Sequence, residues 1–190
     1  MSILKIARMG DPALSCRSEL VADPTSSEIK RLLFDMHETM VDADGTGLAA
    51  PQVHDPRRVM LFMAERGESE IAAQSNEFAP LTALINPTWQ SLSDDTELGW
   101  EGCLSVPGLT GAVPRHTHIQ YQGFTPDGEL IEREATGFHA RVFQHEYDHL
   151  DGILYPQRMT DLSLLVFTEE VRRHGLPLLG SGCRGGAIED

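Results

Sequence analysis

The run His145-Glu146-Tyr147-Asp148-His149 constrains this chain more than any other five residues in it. Two imidazoles four positions apart meet only if the backbone between them is α-helical, which puts their Cβ atoms about 5 to 6 Å apart on one face. On such a helix both rings can converge on one ion. Glu146 stands about 100° around the axis from His145, close enough to reach water at that ion without ligating it, which suits a general base. Phe138, Val142, His145 and His149 recur at offsets of four, three and four, so the spacing predicts a helix from Gly137 to about Leu150. A packed helix that carries two histidines for other reasons fits these five residues equally well, and the decision passes to a third ligand.

The longer pattern of H-E-x-x-H proteases, with a third histidine six residues on, fails here: Gly152 is in place but position 155 is Tyr. The best remaining soft ligand is Cys103, within Glu101-Gly102-Cys103-Leu104-Ser105, where Gly102 permits backbone conformations that other residues resist. A single cysteine is also, and more often, a small buried hydrophobe.

The rest of the chain frames that helix. Thr25 and Glu28 form a capping-box start, and Ile29, Leu32, Leu33, Met36 and Met40 follow at helical spacing until Gly45, predicting an amphipathic N-terminal helix. Arg58 to Ala64 and Leu81 to Ile85 read as strands, the second closed by Asn86-Pro87. His118 to Gly123 and Leu130 to Glu134, joined through Pro126-Asp127-Gly128, read as a hairpin. A last helix is expected from Asp161 to His174, stopping at Gly175 and Pro177. Gly67 to Pro80 is polar and aperiodic, a surface loop. The expected fold is α+β: antiparallel or mixed sheets packed around a central metal-binding helix, with further helices at the N- and C-terminal ends. Residues 1–175 are expected to form one catalytic domain and 176–190 a glycine-rich tail.

With 190 residues, 41% of them hydrophobic, the chain can bury one ordinary core. Fifteen Lys and Arg against 29 Asp and Glu give a formal charge of -14, which repels phosphate backbones and anionic lipid, so no direct nucleic-acid site and no membrane partner is expected. Three irregularly spaced cysteines, Cys16, Cys103 and Cys183, argue against a secreted disulfide framework. No secretory h-region and no apolar run of about 20 residues is present, and the expected location is the cytoplasm.

Gly45-Thr46-Gly47-Leu48-Ala49-Ala50-Pro51-Gln52, Glu101-Gly102-Cys103-Leu104-Ser105 and Gln144-His145-Glu146-Tyr147-Asp148-His149 resemble, in order and separation, the three motifs of the peptide deformylases. Ile85-Asn86-Pro87 and Val113-Pro114-Arg115 belong to the same resemblance, which covers roughly Ile3 to His174. It implies an enzyme that removes the formyl group from the N-terminal methionine of newly made proteins, with Cys103, His145 and His149 as metal ligands and Glu146 as catalytic acid/base. Gln52 and the backbone N–H of Leu104 would form the oxyanion site. Three protein ligands leave a fourth position for water, whose pKa a divalent ion lowers from about 15.7 to roughly 7. One thiolate and two imidazoles suit zinc, iron, nickel or cobalt; the resemblance implies Fe(2+), with N-formylmethionyl nascent peptides at the ribosome as substrate.

Around that core, Gly45, Thr46, Gly47, Gly102 and Val142 are the candidate substrate contacts, with a peptide adding as a strand beside Thr46 and Gly47. Thr46 departs from the aliphatic residue usual in the family. Gly45 alone reads as a helix-ending turn, and core packing accounts for Val142 and Phe138 as well as a methionine pocket does. Arg115 and Glu101 either pair beside the metal or stand as separate surface charges. Two rivals remain: an H-E-x-x-H peptidase taking its third ligand from Glu169 or Glu170, and a catalytically idle, peptide-binding metal domain closed by four ligands.

Overall fold

The computed structural model describes residues 2–64, 76–177 and 179, so much of the loop expected at Gly67 to Pro80 and most of the expected tail lie outside the described residues. Helix α1, Ser27–Asp42, buries Ile29, Leu32, Leu33, Met36 and Met40 along one stripe. Its cap is one residue later than the capping box predicts. Asp23 captures Thr25 through both its N–H and its hydroxyl, and Ser26 accepts from Ile29 N instead. The helix ends where Asp44 turns to φ 53 and Gly45 N donates to Met40 O, 2.9 Å.

Eight strands follow among the described residues: β1 Gly47–Ala49, β2 Val59–Ala64, β3 Ala79–Ser91, β4 Thr96–Gly102, β5 Leu109–His116, β6 His118–Phe124, β7 Leu130–Thr136 and β8 Leu165–Phe167. They form a five-stranded sheet in the order β1-β2-β3-β6-β7 and a three-stranded sheet in the order β4-β5-β8. Among the described residues every strand pair in them is antiparallel, the first of the two expected alternatives. The β6–β7 hairpin has the expected turn.

Two expectations need correction. β3 does not stop at Asn86-Pro87 but runs through it. Asn86 sits at φ 53 and its side-chain amide bonds both the N–H and the C=O of Val21, 2.9 Å each, so the strand bulges between Ile85 and Thr88. At that break in the ladder Pro87 is not asked for the N–H it lacks. Nor is 161–174 one helix. A 3-10 turn at Leu162–Leu164 leads into β8, which pairs with Leu109–Gly111, and only Thr168–His174 is helical, as α3. The run Leu165-Val166-Phe167 satisfies an otherwise unpaired edge of β5, and that tertiary pairing overrides the helical period.

Helix α2, Gly137–Leu150, carries the two histidines and packs against strands of both sheets. Phe62, Tyr121, Phe143, Ala140 and Val142 form the core beneath it. At its far end Arg58 donates to Leu150 O, 3.3 Å, and to Asp151, 2.8 Å, and lies 4.6 Å from the centre of the Tyr147 ring, giving the helix C-terminus a buried cation. At its start His139 is sealed in the core: Nδ1 donates to Asn76 O, 2.9 Å, and Nε2 faces the Tyr121 hydroxyl, 3.1 Å. Burial pushes this imidazole down to about 4, so the folded protein holds it neutral. A histidine titrates near 6.5 in the unfolded chain, so its contribution to stability is complete above that pH and is lost as pH falls toward 4. Denaturant unfolding between pH 7 and 4 should therefore show the wild type losing roughly 3 kcal/mol more than His139→Gln.

Candidate active site

Three elements meet at one cavity of about 470 Å³. The first is the turn from α1 into β1, which contributes Asp44 to Gly47. The second is the end of β4 with the turn after it, Trp100 to Leu104, and the third is α2, through Phe138, Arg141, Val142, His145 and Glu146. β1 and β4 are the outer strands of their sheets, so each brings an edge without a strand partner to the cavity.

Cys103 leaves β4 at its C-terminal end and is held in a turn by Val106 N donating to Cys103 O, 3.0 Å. Its sulfur accepts from Ser105 N, 3.4 Å, and stands 3.3 Å from His149 Nε2. The ligand atoms of Cys103, His145 and His149 all lie within 4.8 Å of one another, and among the described residues no fourth histidine, cysteine or carboxylate joins them. His145 Nδ1 donates to Glu101 Oε2 at 2.8 Å, which fixes the tautomer and leaves the Nε2 lone pair available to a metal. Burial pushes the His149 imidazole down, and a neutral ring is the form a metal requires. Donor types and convergence both fit a divalent ion.

The partners of this trio are themselves tied. Arg115 reaches Glu101 through two nitrogens, 2.9 and 3.0 Å, and Asp148 through a third, 2.5 Å; Arg158 completes Asp148 from outside, 3.1 and 2.7 Å. Burial alone would raise the Glu101 carboxyl, but His145 and Arg115 against it hold it well below the ordinary range. This resolves the question about Arg115 and Glu101: they are a buried pair. Asp148 and Arg158 escape sequence reading. Asp148 occupies a free position of the H-E-x-x-H pattern, and the one available signal is a charge that must be buried whenever its neighbours at 145 and 149 are.

Glu146 is buried, its Oε2 has no hydrogen-bond partner among the described residues, and burial pushes its carboxyl up to about 7. Gly47 makes room for it: a Cβ there would collide with the carboxylate, lying 2.6 Å from its carbon. Gln52 is buried in a 3-10 turn, Ala50–Val53. Its Oε1 accepts from Ala49 N, 2.8 Å, and its Nε2 donates to Ser105 Oγ, 3.1 Å, and points toward Cys103 Sγ, 3.7 Å. Leu104, Gly102, Gly45, Thr46 and Val142 line the same cavity, and Gly45 is both the helix-ending turn and part of the wall. Glu169 and Glu170 are elsewhere, paired with Arg173 on α3, so the peptidase ligand set is not assembled.

The family model for polypeptide deformylases matches residues 3–164. Peptide deformylase 1 of Bordetella pertussis is 50% identical over 164 residues, 86% of this chain and 92% of that protein. Peptide deformylase 1 of Xanthomonas campestris pv. campestris is 49% identical over 167 residues, 88% and 96% of the two chains. Among solved structures, a class I type b peptide deformylase from Acinetobacter baumannii superposes with a TM-score of 0.75 at 33% identity, covering 84% of this chain and all of that one. The peptide deformylase of Thermotoga maritima does so with 0.75 at 34% identity, covering 85% of this chain and all of the other.

Metal analysis should find one divalent ion per chain in wild type and in Glu169→Ala, and less than about a tenth of an ion in Cys103→Ala, since removing one of three ligands leaves an incomplete tetrahedral site.

Proposed function

The chain belongs to the polypeptide deformylase family, and we propose from that starting point how its residues share the work of removing the N-formyl group from newly synthesised peptides. The enzyme is a metallohydrolase. The observation that carries the assignment of roles is the meeting of Cys103, His145 and His149 beside the buried Glu146 carboxylate and the Gln52 amide.

In this reading α2 is the central metal-binding helix, and Cys103, His145 and His149 hold the ion, Fe(2+) in the cell, with zinc, nickel or cobalt as other occupants. When bound, the ion supplies Lewis acidity, which lowers the pKa of water and polarises the formyl carbonyl. A formyl-methionyl peptide lies as an added strand along Gly45, Thr46 and Gly47 on one side and Gly102 on the other, with its methionine side chain against Val142 and Phe138. Gly47 and Gly102 are end residues of the outer strands β1 and β4. Glu146 accepts a proton from water as the water oxygen adds to the formyl carbon. Gln52 Nε2 and the Leu104 N–H donate to the oxyanion that develops, donors of this kind each supplying about 10²- to 10³-fold in rate. The bonds from Ala49 and to Ser105 keep the Gln52 amide from rotating, so little reorganisation is needed as charge builds. Glu146 then delivers its proton to the departing amine, and formate leaves.

Residues 1–175 act as the catalytic domain in the cytoplasm, on chains emerging from the ribosome, with 176–190 outside that domain. Among the described residues no helix is long and apolar enough to cross a membrane.

Formate release from formyl-Met-Ala-Ser, with acetyl-Met-Ala-Ser as control, tests the assignment. Glu146→Ala should retain metal and lose at least about 10²-fold in kcat, in line with the loss of a general acid/base. A variant that keeps wild-type turnover, or wild-type cleavage of the acetyl peptide, would remove Glu146 or the formyl specificity from the account. Gly47→Ala should show a comparable loss with metal content intact, because displacing the carboxylate by about 1 Å is enough. The iron-loaded enzyme should also lose activity in air faster than the nickel-loaded one, since Cys103 thiolate beside a redox-active ion is open to oxidation.

A further inference from the structure

The three metal ligands come from two elements that no stretch of chain fixes together directly: Cys103 from the end of β4, His145 and His149 from α2. Something must set the distance between strand and helix. Arg141 stands one turn before His145 on the same face of α2 and reaches across to the strand. Its Nη2 donates to Glu97 O, 2.7 Å, and its Nη1 is shared among Val113 O at 2.8 Å, Glu101 Oε1 at 2.9 Å and Gly99 O at 3.3 Å. Glu97 and Gly99 belong to β4, and Val113 is the register partner of Gly99 on β5.

The strand is shaped to receive this side chain. A Cβ at position 99 would lie 2.6 Å from the Arg141 guanidinium carbon, so only glycine lets the group lie flat on β4. The contact also leads to a ligand by a second route. The Glu101 carboxylate that accepts from Arg141 at Oε1 accepts from His145 at Oε2.

We propose that Arg141 is a positioning residue for the metal-ligand set: it pins β4 to α2 and so fixes where the Cys103 sulfur stands relative to the two imidazoles. Gly99 is its seat. The inference rests on the metal reading of the site, and it assigns Arg141 no contact with the reacting atoms. Arg141 also borders the cavity, and a residue that served only as cavity wall would change KM for the peptide and leave the metal alone.

The test is metal retention and the visible spectrum of the cobalt-loaded protein, with kcat and KM measured alongside. Arg141→Met should shed cobalt to a chelator about 10- to 100-fold faster than wild type, the range expected when a partner of a metal ligand is lost. Its thiolate–cobalt bands should shift, and Arg141→Lys should recover part of both effects. Gly99→Ala, which displaces the guanidinium while keeping its charge, should reproduce the loss, with the unfolding midpoint of the metal-free protein within about 3 °C of wild type. The double variant should be no worse than Arg141→Met, because the two changes break one contact. Retention within twofold of wild type in both single variants, or losses that multiply in the double variant, would overturn the proposal. A change in KM alone would assign Arg141 to the cavity wall. A wild-type protein that holds no cobalt would overturn the metal reading itself, a different result from a wild type that binds and variants that match it.

Discussion

Glu101 is the point at which the molecule's separate parts become one site. Its side chain is 4% exposed and takes hydrogen bonds from Arg115 on its neighbouring strand and from Arg141 and His145 on α2. Desolvating a carboxylate costs several kcal/mol unless its oxygens are fully bonded by cations in good geometry, and here they are. Arg115 bonds both oxygens, so its removal would strip each of them of a partner at once. The cluster therefore has a single arrangement, and that arrangement aims His145. Asp148 extends the lattice by sharing Arg115 and adding Arg158, so the helix is held by charge on the β5 side and by Arg58 at its C-terminus.

Rigidity on that side contrasts with openness on the other. In the proposed binding mode the outer edges of β1 and β4 take the substrate, and the groups assigned to act on it stand just behind them. Glu146 fits under Gly47 because the strand has no side chain there, and Gln52 is fixed by the backbone of the strand's last residue, Ala49. The proposed binding surface and the proposed catalytic groups are thus in direct contact. A change in the strand's path would move both at once, which accounts for so many small residues between positions 45 and 50.

The sequence made legible what depends on local period and on side-chain chemistry. The α2 helix, the α1 stripe, the β6–β7 hairpin and the H-E-x-x-H pair all follow from spacing within a dozen residues. Cys103 was readable only as a candidate until the three motifs were taken together, since nothing local distinguishes a ligand from a buried thiol. Features set by distant partners were not legible. β3 passes through Asn86-Pro87 because Val21, 65 residues away, bonds the asparagine side chain. Residues 165–167 form a strand because β5 offers an edge. Arg115 and Glu101 could be called paired or solvated until the sheet brought them to 2.9 Å. Arg141 was legible only by its place one turn before His145; what it grips was not, because its acceptors are mainly carbonyl groups, which every residue possesses.

The strand-addition binding mode proposed above also sets a clock. A groove that takes a peptide as a missing strand accepts only a terminus that is extended and unclaimed by its own fold, so the enzyme competes with its substrates' structure formation. Once a client has tucked its first residues into a helix or a sheet, the formyl group is out of reach whatever the intrinsic rate of hydrolysis. For each protein it serves, the decisive quantity becomes the interval during which the leading residues stay unfolded.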